Sequence, residues 1–477
     1  MKKRFLTNLA LLILLNLLIK PFWFFGIEVG VQNRVGEEMY GFYFSLFNFA
    51  FILNILLDLG INNFNNRDIS REPGHLKDYL AAIIPLKLGL SLVYAGVVFA
   101  VGKIVGYSPE QFTMLWVLIA NQFLASFILY FRSNISGLQY FRTDSLLSVM
   151  DRSLMIIFTG LLLWGNVTEE AFKIEWFVYA QSLSYLITLS TVAVIVRYRS
   201  GAFIHRINMK RSLQILRMSY PFALLILLMS LFNRIDSVML ERLLENGKEE
   251  AGIYAQSFRI FDAASQFSLL FAGLLLPMFS RMIKLGEDVN DLLRTALPLL
   301  MVAGLSLAIS CNFYRVNIIE LLYIQPASHS STIFGILMIG FLFVSTSYIY
   351  GSLLTANNNL RQLNIVAGCT VILNVTLNLI LIPRYQSVGA AIASLSSQAF
   401  YALAQLVLTR RILKISMNRD IVFKLAAFLV LNTLLGYLTL LLPGWLPGFL
   451  ALLTSCLATA LLLGLIRPRE LIAVISN

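Results

Sequence analysis

The sequence predicts an all-α, polytopic membrane protein of about fourteen transmembrane helices, arranged as two lobes related by a parallel repeat. Three observations predict it. The 477 residues are 58% hydrophobic and only 13% charged, with a mean hydropathy of +0.77, which lies outside the range of soluble domains. Lys and Arg alternate from one set of loops to the other, and a short motif recurs after six spans.

A helix needs roughly 20 apolar residues to cross the ~30 Å hydrocarbon core of a bilayer. Runs of that kind are read at 6–31, 40–60, 79–102, 112–131, 145–165, 175–196, 216–240, 252–276, 295–314, 332–355, 363–383, 388–409, 421–442 and 446–466. Lys2 to Arg4 ahead of the first run imitate a signal peptide. No small-residue cleavage site follows, and the run continues through Pro21 and Trp23, so an uncleaved first helix is expected.

Basic residues accumulate in short cytoplasmic loops. With the N-terminus inside, 25 of the 37 Lys and Arg fall in cytoplasmic segments and 7 in outer ones, leaving 5 within or at the edge of spans. The alternation persists along the chain, so both termini are expected to be cytoplasmic. The same distribution explains most of the +12 net charge. The basic stretches at 197–217 and 410–424 suit contact with anionic membrane lipid rather than nucleic acid.

The repeat is carried by two matches. Ala10-Leu11-Leu12-Ile13-Leu14-Leu15 returns as Ala223-Leu224-Leu225-Ile226-Leu227-Leu228, and Glu37-Glu38-Met39-Tyr40-Gly41-Phe42-Tyr43 returns as Glu249-Glu250-Ala251-Gly252-Ile253-Tyr254, at an offset of 211 to 213. Six spans separate the copies, so both halves start on the same side of the membrane. A pseudo-two-fold axis along the membrane normal follows, with a path between the halves. The expected division is an N-terminal lobe at 1–210 (spans 1–6), a C-terminal lobe at 211–415 (spans 7–12) and two extra spans at 416–477. Pro21 should kink span 1. Gly389, Ala393 and Ser397 place small residues every fourth position of span 12, as close helix packing requires.

Several functions are excluded. There is no G-x-x-x-x-G-K-[ST] and no G-x-G-x-x-G, so no ATP or dinucleotide cradle is expected, and loops of at most about twenty residues leave no room for a soluble catalytic domain. Cys311, Cys369 and Cys456 are isolated, and His75, His205 and His329 are scattered, so no disulfide, metal or cofactor is expected. No nucleophile, paired carboxylates or metal ligands suggest an enzyme.

The informative residues are the charges inside spans. A cation in hydrocarbon costs at least ~2.5–3.5 kcal/mol and normally faces a partner, a wet cavity or a substrate path. Lys20 lies in the outer half of span 1 and Lys87 near the cytoplasmic end of span 3. Arg234 in span 7 has Ser230, Leu231, Ser237 and Val238 at its helical neighbours, hence no acid on its own face, whereas Arg259 has Asp262 one turn on. These four cations are the candidate substrate-binding residues. Asp58, Asp236 and Asp262 are the candidate ion-coupling carboxylates, although Asp58 also suits a loop anchor and the other two suit charge balance beside their arginines. Under the Ala10/Ala223 alignment Lys20 falls opposite Asn233, beside Arg234, so the pair should sit at similar depth on either side of a central path.

Further segments carry a resemblance. Val35-Gly36-Glu37-Glu38-Met39-Tyr40-Gly41, Asp58-Leu59-Gly60-Ile61 leading to Arg67, Asn233-Arg234-Ile235-Asp236-Ser237-Val238-Met239-Leu240, Ala251-Gly252-Ile253-Tyr254 and Pro277-Met278-Phe279-Ser280-Arg281 resemble bacterial polysaccharide-biosynthesis flippases. These are the O-antigen and capsule translocases of the multidrug/oligosaccharidyl-lipid/polysaccharide exporter superfamily. The resemblance implies a MATE-like, V-shaped two-lobed bundle in the bacterial inner membrane. Such a protein moves an undecaprenyl-pyrophosphate-linked oligosaccharide to the periplasmic leaflet by alternating access, along a cationic path and alongside polysaccharide polymerase machinery. Lipid II and organic-cation drugs are the alternative substrates within the superfamily. A membrane-embedded polymerase or glycosyltransferase is the alternative from another class, and it would need larger outer loops or interfacial catalytic acids. A structural scaffold would leave the buried cations unexplained.

Overall fold

The computed structural model describes residues 15–16, 18–62, 65–66, 69, 74, 76–165, 167, 169–200, 209–324, 326–415 and 419–466. Among them all regular structure is helical. The helices are α1 (Val29–Ile52), α2 (Leu76–Val105), α3 (Pro109–Gly137), α4 (Phe141–Trp164), α5 (Ile174–Ser200), α6 (Met209–Leu243), α7 (Gly247–Leu285), α8 (Val289–Phe313), α9 (Arg315–Leu322), α10 (Ser330–Ala356), α11 (Leu360–Leu413), α12 (Arg419–Thr439) and α13 (Trp445–Leu462).

Eleven helices among the described residues are long and apolar enough to span a bilayer. Two breaks reconcile that number with about fourteen spans. The 54-residue α11 leaves helical geometry at Gln386 (φ 51°, ψ −134°), which makes it two spans, as the sequence predicts at 363–383 and 388–409. In α1, Gly36 takes φ 80° and ψ 173°, a conformation open to glycine, so the turn between the first two predicted spans occupies a single residue. Residues 6–14, where span 1 is expected to begin, lie outside the described residues.

Span 1 bends where Pro21 predicts trouble. Trp23–Glu28 forms a π-helix, and the α-helical ladder resumes only at Val29. A proline removes one backbone donor and crowds the preceding turn, and a wider i→i+5 turn relieves that crowding. Widened turns also consume more residues per unit length. That is the direction needed to reduce the repeat offset from 213 before the π-helix to 211 after it.

The chain forms two compact units, Met1–Gly252 and Ile253–Asn477. In the first, Ile61, Leu80, Ile83, Tyr130, Phe131 and Val192 belong to one apolar core. Just over half of the apolar window of α3 is buried (56%), against 17% of α2, so α3 is a central helix and α2 turns most of its surface to lipid. In the second unit α10 plays the central part, with 61% of its window buried, and α12 is peripheral at 17%. One core there joins Leu275, Phe279, Leu300, Ile349 and Leu353, and another joins Leu305, Ile309, Phe428, Leu452 and Cys456. Gly389, Ala393 and Ser397 are buried as the packing reading expects, and a Cβ on Gly389 would strike the Leu381 carbonyl of the preceding span.

α6 is the first helix of the second repeat copy, yet it packs within the first compact unit. The repeat motif explains why. A Cβ on Gly41 would collide with the carbonyl of Lys248, and a Cβ on Gly252 would collide with the carbonyl of Glu37. Each glycine thus receives the carbonyl located four residues before the other one, which is the signature of a two-fold contact. Gly36 and Gly247 mark the two turns at the same 211-residue spacing. The Gln32 side chain donates to the Gly252 carbonyl (2.8 Å) beside this crossing. At the end of α6, Glu241 accepts from Gln111 (2.7 Å), the residue that completes the Ser108 capping box of α3, and Arg242 pairs with Glu241 while donating to the Gly106 carbonyl (3.2 Å).

Candidate functional site

Three polar constellations interrupt the apolar interior of the first unit. The first is built on a break in span 2. After Ile52 the chain tightens into a 3-10 turn at Asn54–Leu57 and then bends through Leu59 (φ 45°) and Gly60 (φ 84°). Such a break leaves carbonyls without helical partners in a region where water is scarce. Lys87, which is completely buried, answers it: Nζ donates to the Leu57 carbonyl (2.8 Å), the Ser126 hydroxyl (2.9 Å) and Asp58 Oδ1 (3.3 Å). The rings of Phe127 and Tyr130 flank it at 5.9 and 5.8 Å. Asp58 also accepts the Asn62 backbone N–H (3.3 Å), and Tyr94, two turns along α2, donates to the Ala50 carbonyl (2.9 Å). An ammonium has three protons, and here all three are taken by protein. Lys87 thus caps a helix break, with Asp58 as its counter-ion.

The second constellation surrounds Arg234. Its Nη1 donates to Asn48 Oδ1 (2.9 Å), the Asn48 amide donates to the Ser237 hydroxyl (2.9 Å), and Ser237 returns a hydrogen bond to the Arg234 carbonyl (3.1 Å). The guanidinium lies 4.3 Å from the centre of the Phe51 ring. Asn48 and Phe51 both come from α1, so a neighbouring helix helps to orient Arg234. The side chain remains half-buried while Asp236, two residues on, is fully buried. A guanidinium held in this way can present planar N–H groups to an oxyanion without reorganising.

The third was not singled out in the sequence. Arg152 of α4 lies with its guanidinium 5.2 Å from the Trp23 ring and Nε 3.9 Å from Asp151, with Glu28, Tyr43 and Tyr185 within electrostatic reach. Trp23 stacks on Phe177 (5.8 Å), whose edge meets Tyr43 (5.3 Å). Glu28 is 5% exposed at the end of the π-helix. A signal existed, since Arg152 is the fifth basic residue inside a predicted span and Glu28 an acid inside another. Neighbouring Asp151 and the position of Glu28 near the end of its run make both resemble ordinary interfacial charges. At the 211-residue spacing, Trp23 is the counterpart of Arg234.

Lys20 is half-buried on the turn before the π-helix, and Asn16 nearby donates to Ser148 of α4 (3.4 Å). In the second unit Arg259 is 6% exposed on α7, one turn ahead of half-buried Asp262. The 211-residue spacing makes Arg259 the counterpart of Asn48, the residue that holds Arg234. The structure therefore brings Lys87 together with Asp58, and Arg234 with Asn48 and Phe51. Among the described residues no group of three His, Cys, Asp or Glu side chains forms a metal site.

This architecture is shared with known transporters. The structure is similar to the lipid II flippase MurJ in an inward closed conformation, with a TM-score of 0.74 at 16% identity over 96% of this chain and 100% of that one. It is similar to an inward-facing multidrug resistance MATE transporter of the MOP superfamily (TM-score 0.65, 15% identity, 81% of this chain and 93% of that one). It is also similar to a MOP superfamily transporter from Pyrococcus furiosus described as having a binding pocket of reverse polarity (TM-score 0.59, 17% identity, 85% of this chain and 94% of that one). At these identities the likeness establishes the fold. No curated protein matches by sequence. The family described as polysaccharide biosynthesis protein matches residues 5–283, more than half of the chain. With fourteen predicted spans, helices throughout the described residues and that match, the chain belongs to the polysaccharide biosynthesis protein family and is a multi-pass membrane protein with the MOP transporter fold.

Proposed function

We propose that this chain flips a polyprenyl-pyrophosphate-linked oligosaccharide across the bacterial inner membrane by alternating access, supplying surface polysaccharide such as O-antigen or capsule. The observation that carries the reading is Arg234, an intramembrane guanidinium held by Asn48 and Phe51 at a half-buried position. Pyrophosphate is the ligand whose oxygens match such a donor. Membership of the polysaccharide biosynthesis family points to a glycan attached to it.

In this reading Arg234 and Lys20 bind the pyrophosphate, and Arg259, the repeat counterpart of Asn48, is a further substrate-binding cation. Arg152 joins them as a cation the sequence reading missed. Lys87 supports the span 2 break and Asp58 balances it, which leaves Asp236 and Asp262 as the coupling carboxylates. Both termini lie in the cytoplasm, with polysaccharide polymerase machinery receiving the flipped lipid.

The test is a flipping assay on the full chain in proteoliposomes, with a fluorescent lipid-linked oligosaccharide and an impermeant quencher. Wild-type protein should flip it, and Arg234→Ala should slow it at least tenfold, about 1.4 kcal/mol of binding or barrier. Unchanged flipping by Arg234→Ala would remove Arg234 from the site. Similarity to the lipid II flippase over nearly the whole chain favours a second reading, peptidoglycan precursor transport. Offering lipid II in the same assay separates the two. Imposed proton or sodium gradients then test coupling, which Asp236→Asn or Asp262→Asn should abolish.

A further inference from the structure

The second unit contains an apolar slot that the transport reading does not use. It encloses about 270 Å³ between α8, α10, the second half of α11 and α12. Leu297, Leu406 and Leu425 contribute to its walls, and Arg294 and Arg410, both exposed, complete the lining. Neither arginine forms an ion pair among the described side chains; nearby Asp420 is engaged by Lys424 at 2.8 Å.

These features describe one kind of ligand. A volume just below the ~300–1,000 Å³ of small-molecule pockets takes a flexible chain more readily than a folded headgroup. Two guanidinium groups beside it call for a phosphate. Arg294, Arg410, Arg411, Lys414, Arg419 and Lys424 crowd this end of the unit, which the distribution of basic residues assigns to the cytoplasmic leaflet, where anionic lipids are met.

We infer that the slot is a binding site for an anionic diacyl phospholipid. Arg294 and Arg410 bind its phosphate, and one acyl chain fills the space between Leu297, Leu406 and Leu425. Because α12 forms one wall, the lipid ties the penultimate predicted span to α8 and α10. The inference does not rest on the transported substrate.

Native mass spectrometry of the full chain in detergent tests it with three probes: dioleoyl phosphatidylglycerol, dioleoyl phosphatidylcholine with the same chains, and inorganic phosphate without any. One phosphatidylglycerol should be retained at least tenfold more tightly than phosphatidylcholine, and phosphate should not displace it. The R294Q/R410Q double variant should reduce phosphatidylglycerol to the level of phosphatidylcholine. Leu406→Trp, which fills the slot but keeps both arginines, should abolish retention. Thermal unfolding of each variant in detergent shows whether the fold is kept, and the two exposed arginines make the double variant the safest. Equal retention of the two lipids, retention unchanged in the double variant, or displacement by phosphate alone would overturn the proposal. So would displacement of phosphatidylglycerol by equimolar undecaprenyl phosphate, which would assign the slot to a polyprenyl tail.

Discussion

Lys87 and Arg234 look alike in the sequence, since each is a lone cation inside an apolar run without an acid one turn away on its own helix. In the fold they are opposites. Lys87 is completely buried and directs its three protons at a broken helix and its neighbours, while Arg234 stays half-buried against the Asn48 amide and the Phe51 ring of another helix. A buried charge is therefore not a functional charge by default. What separates them is whether the surrounding backbone has unmet acceptors: a carbonyl orphaned inside a membrane attracts any cation within reach, and the break at Asn54–Gly60 supplies one.

The largest effect that would break this comparison belongs to Lys87. Lys87→Met removes the shorter of two hydrogen bonds to the Leu57 carbonyl, the Ser126 hydroxyl being the other donor, and leaves Asp58 without its cation, an expected loss of about 3–5 kcal/mol. Membrane abundance and thermal stability in detergent should both collapse. A well-folded Lys87→Met protein with a specific transport defect would return Lys87 to the substrate path. Arg234→Ala should behave in the reverse sense, with normal abundance and flipping reduced at least tenfold, about 1.4 kcal/mol.

Gly41→Ala tests the crossing of α1 with the first turns of α7. With backbone on the receiving side, the helices must separate, at a cost of about 1–3 kcal/mol. Because Gly252 sits in the same contact, the Gly41→Ala/Gly252→Ala double variant should lose less than the sum of the singles. Additive losses in a thermal unfolding series would show that the two glycines act independently. Asn48→Ala should be milder, about 0.5–1.5 kcal/mol for the lost hydrogen bond, and its signature is a raised apparent KM for lipid substrate with stability nearly intact.

The smallest effect belongs to an exposed pair. Lys173 donates to Glu170 at 2.7 Å in the loop before α5 and holds the Glu170 carboxyl below its ordinary range. A depressed carboxylate stabilises the fold at neutral pH, and that contribution disappears as pH falls through the depressed value. Solvent screens this fully exposed pair, so Glu170→Gln should leave the unfolding temperature unchanged at pH 7 and at pH 4. A measurable shift would mean that surface charge matters here in the way buried charge does.

Fold class, span positions and the parallel repeat were legible in the sequence because each rests on local or additive properties. Twenty apolar residues must be a helix in lipid, basic loops bias orientation one by one, and a repeated Gly-x-Tyr motif can be read as letters. Even the geometry of Gly36 and of the Gly41/Gly252 crossing follows residue types already visible there. The candidate site was only half legible. Arg234 stood out because no acid shares its helix face, but Asn48 and Phe51 lie 186 and 183 positions away, and nothing local marks them as its partners. Arg152 and Glu28 hid behind neighbours that made them look interfacial.

Only the tertiary structure decided which groups each cation meets. That depends on where a distant backbone breaks and which face of another helix arrives there, and three-dimensional packing sets both. The sequence alone established that charges lie inside the membrane, because hydrocarbon makes them costly wherever they fall. Their roles depended on partners supplied by other helices, and so the four cations named first divide into one plug at Lys87, one oriented guanidinium at Arg234, and two, Lys20 and Arg259, whose places in the repeat give them their meaning.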